Sequence, residues 1–524
     1  MKVLAADGVS PRGIEILREA GFTVEVKDKL TAEELLATIG AYDALIVRSA
    51  SKVTKEVLAA GKNLKIIGRA GVGVDNIDVS AATAAGIIVI NSPGGNTTAA
   101  TEHTIGMMLA MARHIPVANE TTQKGEWNRK QYVGVELRGK TLGVVGLGRI
   151  GAGVAKRAQA FEMNVIGYDP YVTEDRARVM GVELVTLEQI VERSDFITVH
   201  MPLTAETRNM FHKDNLAKMK KGVRLVNCAR GGIINEEDLA AAVKADIVAG
   251  AAIDVFTTEP IPPDHPLLGL PGVVLTPHLG ASTIEAQIGV SIDVAEGIVS
   301  ALRGEPVMTA VNMAPVSPQV MNVIKPFFDL AERLGCMAEA LAEGAVRAVE
   351  VEYTGDITEV NTKLLTTAVL KGLLNPILET TVNYVNAPGL AKDRGIAVRE
   401  VKSKEAANFT NLITVKAETE KKTVVLQGAL FGSEGRVVSI DGYRVDVDPH
   451  KRILLCPHIN RPGIIGKVGS LMGDEGINIS GMQVGKTEQE GTNIMVLTID
   501  NEVPVAVIEQ VAALDGIFGA KLID

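Results

Sequence analysis

The chain reads as α/β, on three observations. Two successive series of short β-rich runs alternate with amphipathic stretches, the pattern of parallel βαβ units. A late helical run has no strand after it. The last stretch runs strand–helix–strand–strand–helix–strand. We therefore expect two doubly wound parallel-sheet lobes, the second inserted in a discontinuous first, then a mixed α/β domain, then a βαββαβ domain. At 524 residues one core is excluded, since single cores stop growing near ~250–300 residues.

The first series predicts strands at 2–5, 44–47, 65–67 and 87–90, and a helix over 97–114 follows with apolar spacing Ile105, Met108, Leu109. The second series predicts strands at 141–145, 164–168, 196–200, 224–227, 247–253 and 273–275. The helical run 284–302 is expected to return to the first lobe. Two prolines and little periodicity in 308–318 read as a linker. Residues 317–450 are mixed α/β with few chemically suggestive residues. The final order is strand 452–458, helix 463–474, strands 477–485 and 493–500, helix 505–514 and strand 517–523, a ferredoxin-like sandwich.

Composition removes several function classes. Lys and Arg number 53 against 63 Asp and Glu, a net charge of −10, which disfavours nucleic acid and anionic membrane surfaces as partners. One Trp, seven Tyr and ten Phe supply few stacking platforms. Cys228, Cys336 and Cys456 lie far apart with no CxxC, so neither a disulfide framework nor a cysteine zinc site is expected, and no metal is assigned. The start, Met1-Lys-Val-Leu-Ala-Ala-Asp7, meets an acid too early for a signal-peptide core. The longest uncharged run, 79–101, is too rich in Ser, Thr, Asn, Pro and Gly to span a membrane. A cytoplasmic protein is expected.

The chemistry begins at Gly146-Leu-Gly148-Arg149-Ile150-Gly151. This G-x-G-x-x-G follows an apolar strand and opens a helix, and Asp169 ends the next strand 18 residues past the third glycine. Glycines let backbone N–H groups and a helix N-terminus approach a pyrophosphate. Asp169 would take hydrogen bonds from ribose hydroxyls and repel a 2′-phosphate, favouring NAD over NADP.

Ligands of doubly wound sheets sit beyond the carboxyl ends of strands. Those ends carry Asp169, His200-Met201-Pro202, Asn227-Cys-Ala-Arg230-Gly-Gly, Asp254 with Glu259, and Pro277-His278. A dehydrogenation needs a base for the alcohol proton, which histidine suits, a carboxylate to hold the imidazolium, and an arginine to clamp a substrate carboxylate. His278, Glu259 and Arg230 fit these roles.

With Gly68-Arg-Ala-Gly-Val-Gly-Val-Asp-Asn-Ile-Asp78, Asn227-Cys-Ala-Arg-Gly-Gly232 and Thr276-Pro-His-Leu-Gly-Ala-Ser-Thr283 added, the chain resembles the D-2-hydroxyacid dehydrogenase family over essentially its whole length. The closest likeness is to its long branch, which ends in an ACT domain. The resemblance implies NAD-dependent oxidation of 3-phospho-D-glycerate to 3-phosphohydroxypyruvate, the first step of L-serine biosynthesis. It implies a substrate domain of 1–97 and 284–315, a Rossmann-type NAD domain of 98–283, an intervening domain of 316–450 and an ACT domain of 451–524.

It maps the family's catalytic triad onto Arg230, Glu259 and His278, and its nicotinamide-carboxamide acid onto Asp254. Further cofactor contacts would come from Arg149, Ile150, Met201, Cys228, Ala229, Gly280 and Ala281; the family often has Thr where Met201 stands. Arg48 and Arg69, at first-lobe strand ends, would bind the phosphorylated substrate with Ser49 and Asn96, and Arg129 beside Trp127 would reach across a dimer to the phosphate. His458, Asn460 and Asn478 correspond to residues that hold L-serine at a domain interface. A homodimer or homotetramer is expected. The alternatives are a hydroxypyruvate or glyoxylate reductase, or another D-2-hydroxyacid dehydrogenase, and an NAD-gated regulatory binding protein.

Overall fold

The computed structural model describes residues 1–523 apart from 29, 306, 315, 380, 405–408 and 488–490, and these form four sheets. The first sheet is parallel, in spatial order Thr23–Lys27, Lys2–Ala6, Ala44–Val47, Ile66–Arg69, Ile88–Asn91. Its inner strands are buried on both faces, the environment that produces unbroken apolar runs such as Ala44-Leu-Ile-Val47. Helix Ile284–Leu302 returns to one face, where Val290, Val294 and Ile298 pack with Val3, Ile46 and Ile90. This lobe is therefore built from both ends of the first three hundred residues.

The second sheet is also parallel, in order Val273–Leu275, Val248–Ile253, Val223–Asn227, Phe196–Val199, Thr141–Val145, Asn164–Tyr168, Glu183–Leu184. Connections run in opposite directions on either side of the pair Thr141–Val145 and Phe196–Val199. That reversal opens the crevice in which doubly wound sheets bind ligands. Phe196 and Phe211, both essentially fully buried, each contribute on the order of 2–3 kcal/mol by leaving water.

The third sheet is mixed. Ala397–Ser403 pairs parallel with Val346–Gly355, then Asn411–Thr419, Thr423–Phe431, Glu434–Ile440 and Tyr443–Val447 follow antiparallel. The fourth sheet, Ile479–Lys486, Thr492–Ile499, Arg452–Ile459 and Lys521–Ile523, is antiparallel and carries helices Ile464–Asp474 and Val505–Ala513. Strand alternation sorts its side chains. Leu454 and Cys456 face its own helices with Val468 and Val511. Ile453 and Leu455 join a core containing Leu330, Tyr353 and Leu426 of the third sheet's domain. The division expected at 450/451 thus crosses one continuous core, and the Gln483 amide also exchanges hydrogen bonds with the backbone of Asp446.

The same C-terminal half touches the first lobe where the Asn383 amide donates to the carbonyl of Gly86 (2.7 Å), just past the helix Val79–Ala84. Two edge strands, Thr23–Lys27 and Glu183–Leu184, escaped the pattern reading because half-exposed edges carry polar residues. The helix expected over 97–114 ends at Ala112, and His114 turns left-handed (φ 54°) into a second helix, Ile115–Gln123. The last strand is shorter than expected, with Ile517 making only a bridge to His458. No helix among the described residues is long and apolar enough to cross a membrane.

Candidate active site

At the crevice, strand Thr141–Val145 runs into Gly146, whose φ of 96° lies in the left-handed region that favours glycine. Helix Arg149–Ala160 starts there. A Cβ on Gly151 would fall 1.9 Å from the Gly146 carbonyl oxygen, so only glycine lets the helix seat on this turn. A Cβ on Gly148 would meet nothing within 4 Å. That open space over a helix N-terminus suits a pyrophosphate. Asp169 accepts from the Leu147 N–H (2.8 Å) and the Tyr171 N–H (2.9 Å), which pins its carboxylate beside the glycine turn. A carboxylate has lone pairs to spare for a diol after two such bonds. Arg149 extends toward Gly94 of the first lobe, and Met201 packs over Gly146. These residues fit a dinucleotide.

Deeper in the crevice Asp254 is fully buried. It accepts from the Thr276 hydroxyl (2.6 Å) and from the N–H groups of Leu279 (2.7 Å) and Gly280 (2.9 Å), and His103 Nε2 lies 3.1 Å away. Burial alone would raise its pKa; the hydrogen bonds from His103, Thr276 and Leu279 outweigh that and hold it below the ordinary value. The Cys228 thiol beside it is pushed up to about 12 by burial and by the Asp254 charge, so it stays protonated. Asn227 ties the adjoining turn, accepting from the Ala229 N–H (3.0 Å) and donating to the Arg230 carbonyl (2.8 Å). Ala281 follows Gly280, half-buried.

Glu259 and His278 meet at the mouth. Glu259 Oε2 lies 2.8 Å from His278 Nδ1, and Oε1 accepts from the Phe256 N–H (3.0 Å). Burial would raise the Glu259 pKa, but the His278 and Phe256 bonds prevail and lower it. An ionised Glu259 accepts a hydrogen bond from Nδ1–H, which leaves the Nε2 lone pair of His278 as the proton acceptor. The His278 N–H donates to the Asp254 carbonyl (2.9 Å), so one residue fixes both ends of this strand-end turn.

Opposite stands a basic cluster drawn from both lobes. Arg230 bridges the crevice, its Nε 3.0 Å from Asp75 Oδ2. Arg69 is largely buried, and burial together with the nearby Arg230 charge brings its pKa down to about 10; Arg48 also acts on it. The Arg69 Nε and the Asn96 Oδ1 are buried without hydrogen-bond partners. An unpaired buried guanidinium nitrogen beside two further guanidiniums is a site for an anion. Asp7 shapes the turn that carries Arg48 and the exposed Ser49. It accepts from the N–H groups of Arg48 and Ser51 (2.9 Å each) and from the Ser51 hydroxyl (2.8 Å). Asn76 closes the same turn through the carbonyls of Arg48 (2.7 Å) and Ser51 (2.6 Å).

Other predicted residues lie elsewhere. Arg129 occupies an exposed turn beside Trp127, itself 79% exposed. In the fourth sheet His458 is buried with Nδ1 on the Ile459 carbonyl (2.8 Å) and Nε2 unpartnered, while Asn460 is exposed after the same strand end. Asn478 bonds Asp500 (2.8 Å) before the strand Ile479–Lys486, level with Arg452 through the register Ile479–Ile499–Arg452. At ~3.3 Å per residue, Asn478 and His458 stand about 20 Å apart, at opposite ends of the sheet. One copy does not bring them together.

The sequence reading missed Asp7, Asp75, Asn76 and His103. Asp7 follows a strand end and Asp75 and Asn76 lie inside the motif Gly68–Asp78, so acids and amides in strand-end turns are the signal that marks them. His103 is a lone histidine inside a helix, which no pattern marks.

Comparison with known proteins converges on the same chemistry. Residues 105–280 match the D-isomer specific 2-hydroxyacid dehydrogenase NAD binding domain, 323–441 the D-3-phosphoglycerate dehydrogenase intervening domain, and 453–516 the ACT domain. Over 526 aligned residues and the full length of both chains, the protein is 46% identical to the D-3-phosphoglycerate dehydrogenase of Archaeoglobus fulgidus. Among solved structures it is similar to the TT0316 protein of Thermus thermophilus, with 34% identity, a TM-score of 0.56, and coverage of 59% of this chain and 100% of that one. It is also similar to a Staphylococcus aureus formate dehydrogenase in complex with NAD, with 31% identity, a TM-score of 0.55, and coverage of 60% and 100%. The chain belongs to the D-3-phosphoglycerate dehydrogenase family, an NAD-dependent, ACT-bearing branch of the D-2-hydroxyacid dehydrogenases.

Proposed function

We propose that this enzyme oxidises 3-phospho-D-glycerate to 3-phosphohydroxypyruvate, opening L-serine synthesis, and that L-serine inhibits it through the C-terminal domain. The observation that carries the first half is the pairing of Glu259–His278 with the cluster Arg48, Arg69 and Arg230 across one crevice. A phosphorylated hydroxy acid brings two anionic groups, and three guanidiniums answer them. Arg230 holds the carboxylate and polarises the reacting C–O bond; Arg48 and Arg69, with Ser49 and Asn96, take the rest of the anion. Bound NAD supplies the acceptor for the C2 hydride. His278 Nε2 takes the hydroxyl proton as the C–O bond becomes C=O, and the Glu259 carboxylate stabilises the imidazolium that forms. Asp169 and the turn 146–151 hold the dinucleotide, with Arg149, Ile150 and Met201 beside them. Asp254, Cys228, Ala229, Gly280 and Ala281 line its nicotinamide end.

The serine half rests on the unpartnered Nε2 of His458 and on the separation of Asn478 from it. In our reading the effector bridges two copies, His458 and Asn460 of one with Asn478 of the other, since His and Asn supply the donors and acceptors a zwitterion needs. Helix Ile115–Gln123 buries none of its residues, and Ile115, Val117, Trp127 and Val133 stand exposed around Arg129. A second copy covering that face would make a homodimer in which Arg129 reaches the partner's crevice, and C-terminal pairing would extend it to a tetramer. We read the compartment as the cytoplasm, in keeping with three free thiols.

NADH formation from NAD and 3-phosphoglycerate, with and without L-serine, tests both halves. Turnover suppressed by serine is the expected result. Turnover indifferent to serine would confine the function to the dehydrogenase. Activity on glyoxylate or hydroxypyruvate alone would make the enzyme a reductase of unphosphorylated acids.

A further inference from the structure

Between strands Val248–Ile253 and Val273–Leu275 the chain carries no helix or strand, yet this loop delivers Glu259 to His278. A long irregular loop at a catalytic centre needs anchors to hold a carboxylate to within hydrogen-bonding geometry. The anchors are two nearly buried polar side chains that the acid–base chemistry does not use. Glu236, in the first turn of helix Glu236–Lys244, has a side chain 14% exposed, and that of His265 is 5% exposed. Glu236 Oε1 accepts both the N–H (2.7 Å) and the hydroxyl (2.9 Å) of Thr257, and Oε2 lies 2.9 Å from His265 Nε2. The Leu267 N–H points at His265 Nδ1 (3.4 Å), which puts the imidazole proton on Nε2, toward Glu236. The ring of Phe256 meets that of His265 edge-on, with centroids 5.4 Å apart. Three donors therefore converge on one carboxylate from both ends of the loop segment that carries Glu259.

Gly231 shows how tightly this segment is seated. A Cβ there would fall 2.0 Å from both the carbonyl carbon and the oxygen of Phe256. The backbone next to Arg230 and the backbone leading to Glu259 lie directly on each other. Phe256 then donates its N–H to Glu259 (3.0 Å), one residue from the Thr257 that Glu236 grips.

We propose that the Glu236–His265 clasp is the positioning element of the acid–base pair: it fixes Thr257 and Phe256 so that Glu259 stays aligned on His278. This rests on the role given above to Glu259 and His278. Glu236, His265 and Thr257 are positioning residues, and the dinucleotide-binding turn lies on other strands. Loss of the clasp should therefore slow turnover without loosening the cofactor.

The test uses the full-length enzyme and four variants, with NADH affinity followed by fluorescence. His265→Ala is expected to lower kcat about tenfold or more, with the NADH Kd and the KM for 3-phosphoglycerate within about twofold of the parent. His265→Gln, whose amide N–H can reach Glu236 from the same side, is expected to recover most of that loss. The deciding measurement is the pair Glu259→Gln and Glu259→Gln/His265→Ala. If the clasp works through Glu259, adding His265→Ala to the Glu259→Gln enzyme costs nothing further. The same fold-loss in both backgrounds, or parallel losses of turnover and NADH affinity, would overturn the proposal. A Glu259→Gln enzyme with parental kcat would instead overturn the acid–base reading itself.

Discussion

The crevice of the two parallel lobes and the C-terminal antiparallel sheet handle their polar residues in opposite ways. In the lobes every strand points the same way, so all carboxyl ends lie along one edge, and Asp169, Arg230, Asp254 and His278 arrive there from four different strands. Each is then held by a second group: Asp169 by two N–H groups, Asp254 by four donors, His278 by Glu259, Arg230 by Asp75. In the fourth sheet Arg452–Ile459 and Ile479–Lys486 both run opposite to Thr492–Ile499 between them. His458 lies at the end of the first while Asn478 precedes the start of the second, so the two fall at opposite edges. His458 and Asn478 end up about 20 Å apart, and His458 Nε2 is left unpartnered. The parallel sheet gathers its polar strand ends on one edge; the fourth sheet leaves His458 and Asn478 on opposite edges.

That contrast can be broken experimentally. The largest effect is expected from His278→Ala, which should reduce kcat by about 10³-fold while NADH binding, measured by fluorescence, persists. Unchanged turnover would remove His278 from the reaction. Next, Arg230→Lys exchanges a planar fork for a point charge and should raise the KM for 3-phosphoglycerate about tenfold, with little change in NAD affinity. Mixing subunits then separates the two regions. Hetero-oligomers of His458→Ala and Asn478→Ala chains should regain serine inhibition, because one interface of two recombines the wild-type residues. Hetero-oligomers of His278→Ala and Arg230→Ala chains should regain no turnover, because each crevice takes both of these residues from one chain. Recovery in the second mixture, or none in the first, would reverse the distinction.

Smaller effects probe how the halves are held. Glu259 has its carboxyl depressed below the ordinary 4.5 in the folded chain. Its stabilising contribution is therefore fully present above that ordinary value and is lost as pH falls toward the depressed one. Tm measured against pH should fall less steeply on the acid side for Glu259→Gln. Asn383→Ala removes the amide that caps the first lobe at Gly86 and should cost about 1 kcal/mol, seen as a lower midpoint in urea with basal turnover unchanged.

The fold was legible where burial imposes a period. Ala44-Leu-Ile-Val47 and Thr141-Leu-Gly-Val-Val145 read as strands because parallel sheets bury both faces, whereas Thr23–Lys27 was invisible because its edge position tolerates Thr, Glu and Lys. The glycine turn and Asp169 were legible because backbone approach to a phosphate demands residue types at set spacings. The turn that carries Arg48 was not, since Asp7 reaches it across 41 residues. Nor was the clasp of Glu236 on His265, 29 residues apart.

The linear order of residues thus carried what depends on local periodicity, on strand-end position and on motifs whose spacing is set by backbone geometry: the two parallel lobes, the terminal strand–helix order, the dinucleotide turn and the polar strand ends 169, 230, 254 and 278. Folding in space alone settled that Asp75 meets Arg230 and Glu236 meets His265, that Asn383 docks the C-terminal half onto the first lobe, and that the third and fourth sheets share one core across residue 450. The physical reason is range. Hydrogen bonds and apolar packing act over a few ångströms between residues tens to hundreds of positions apart, and no local pattern in the chain records which of them will meet.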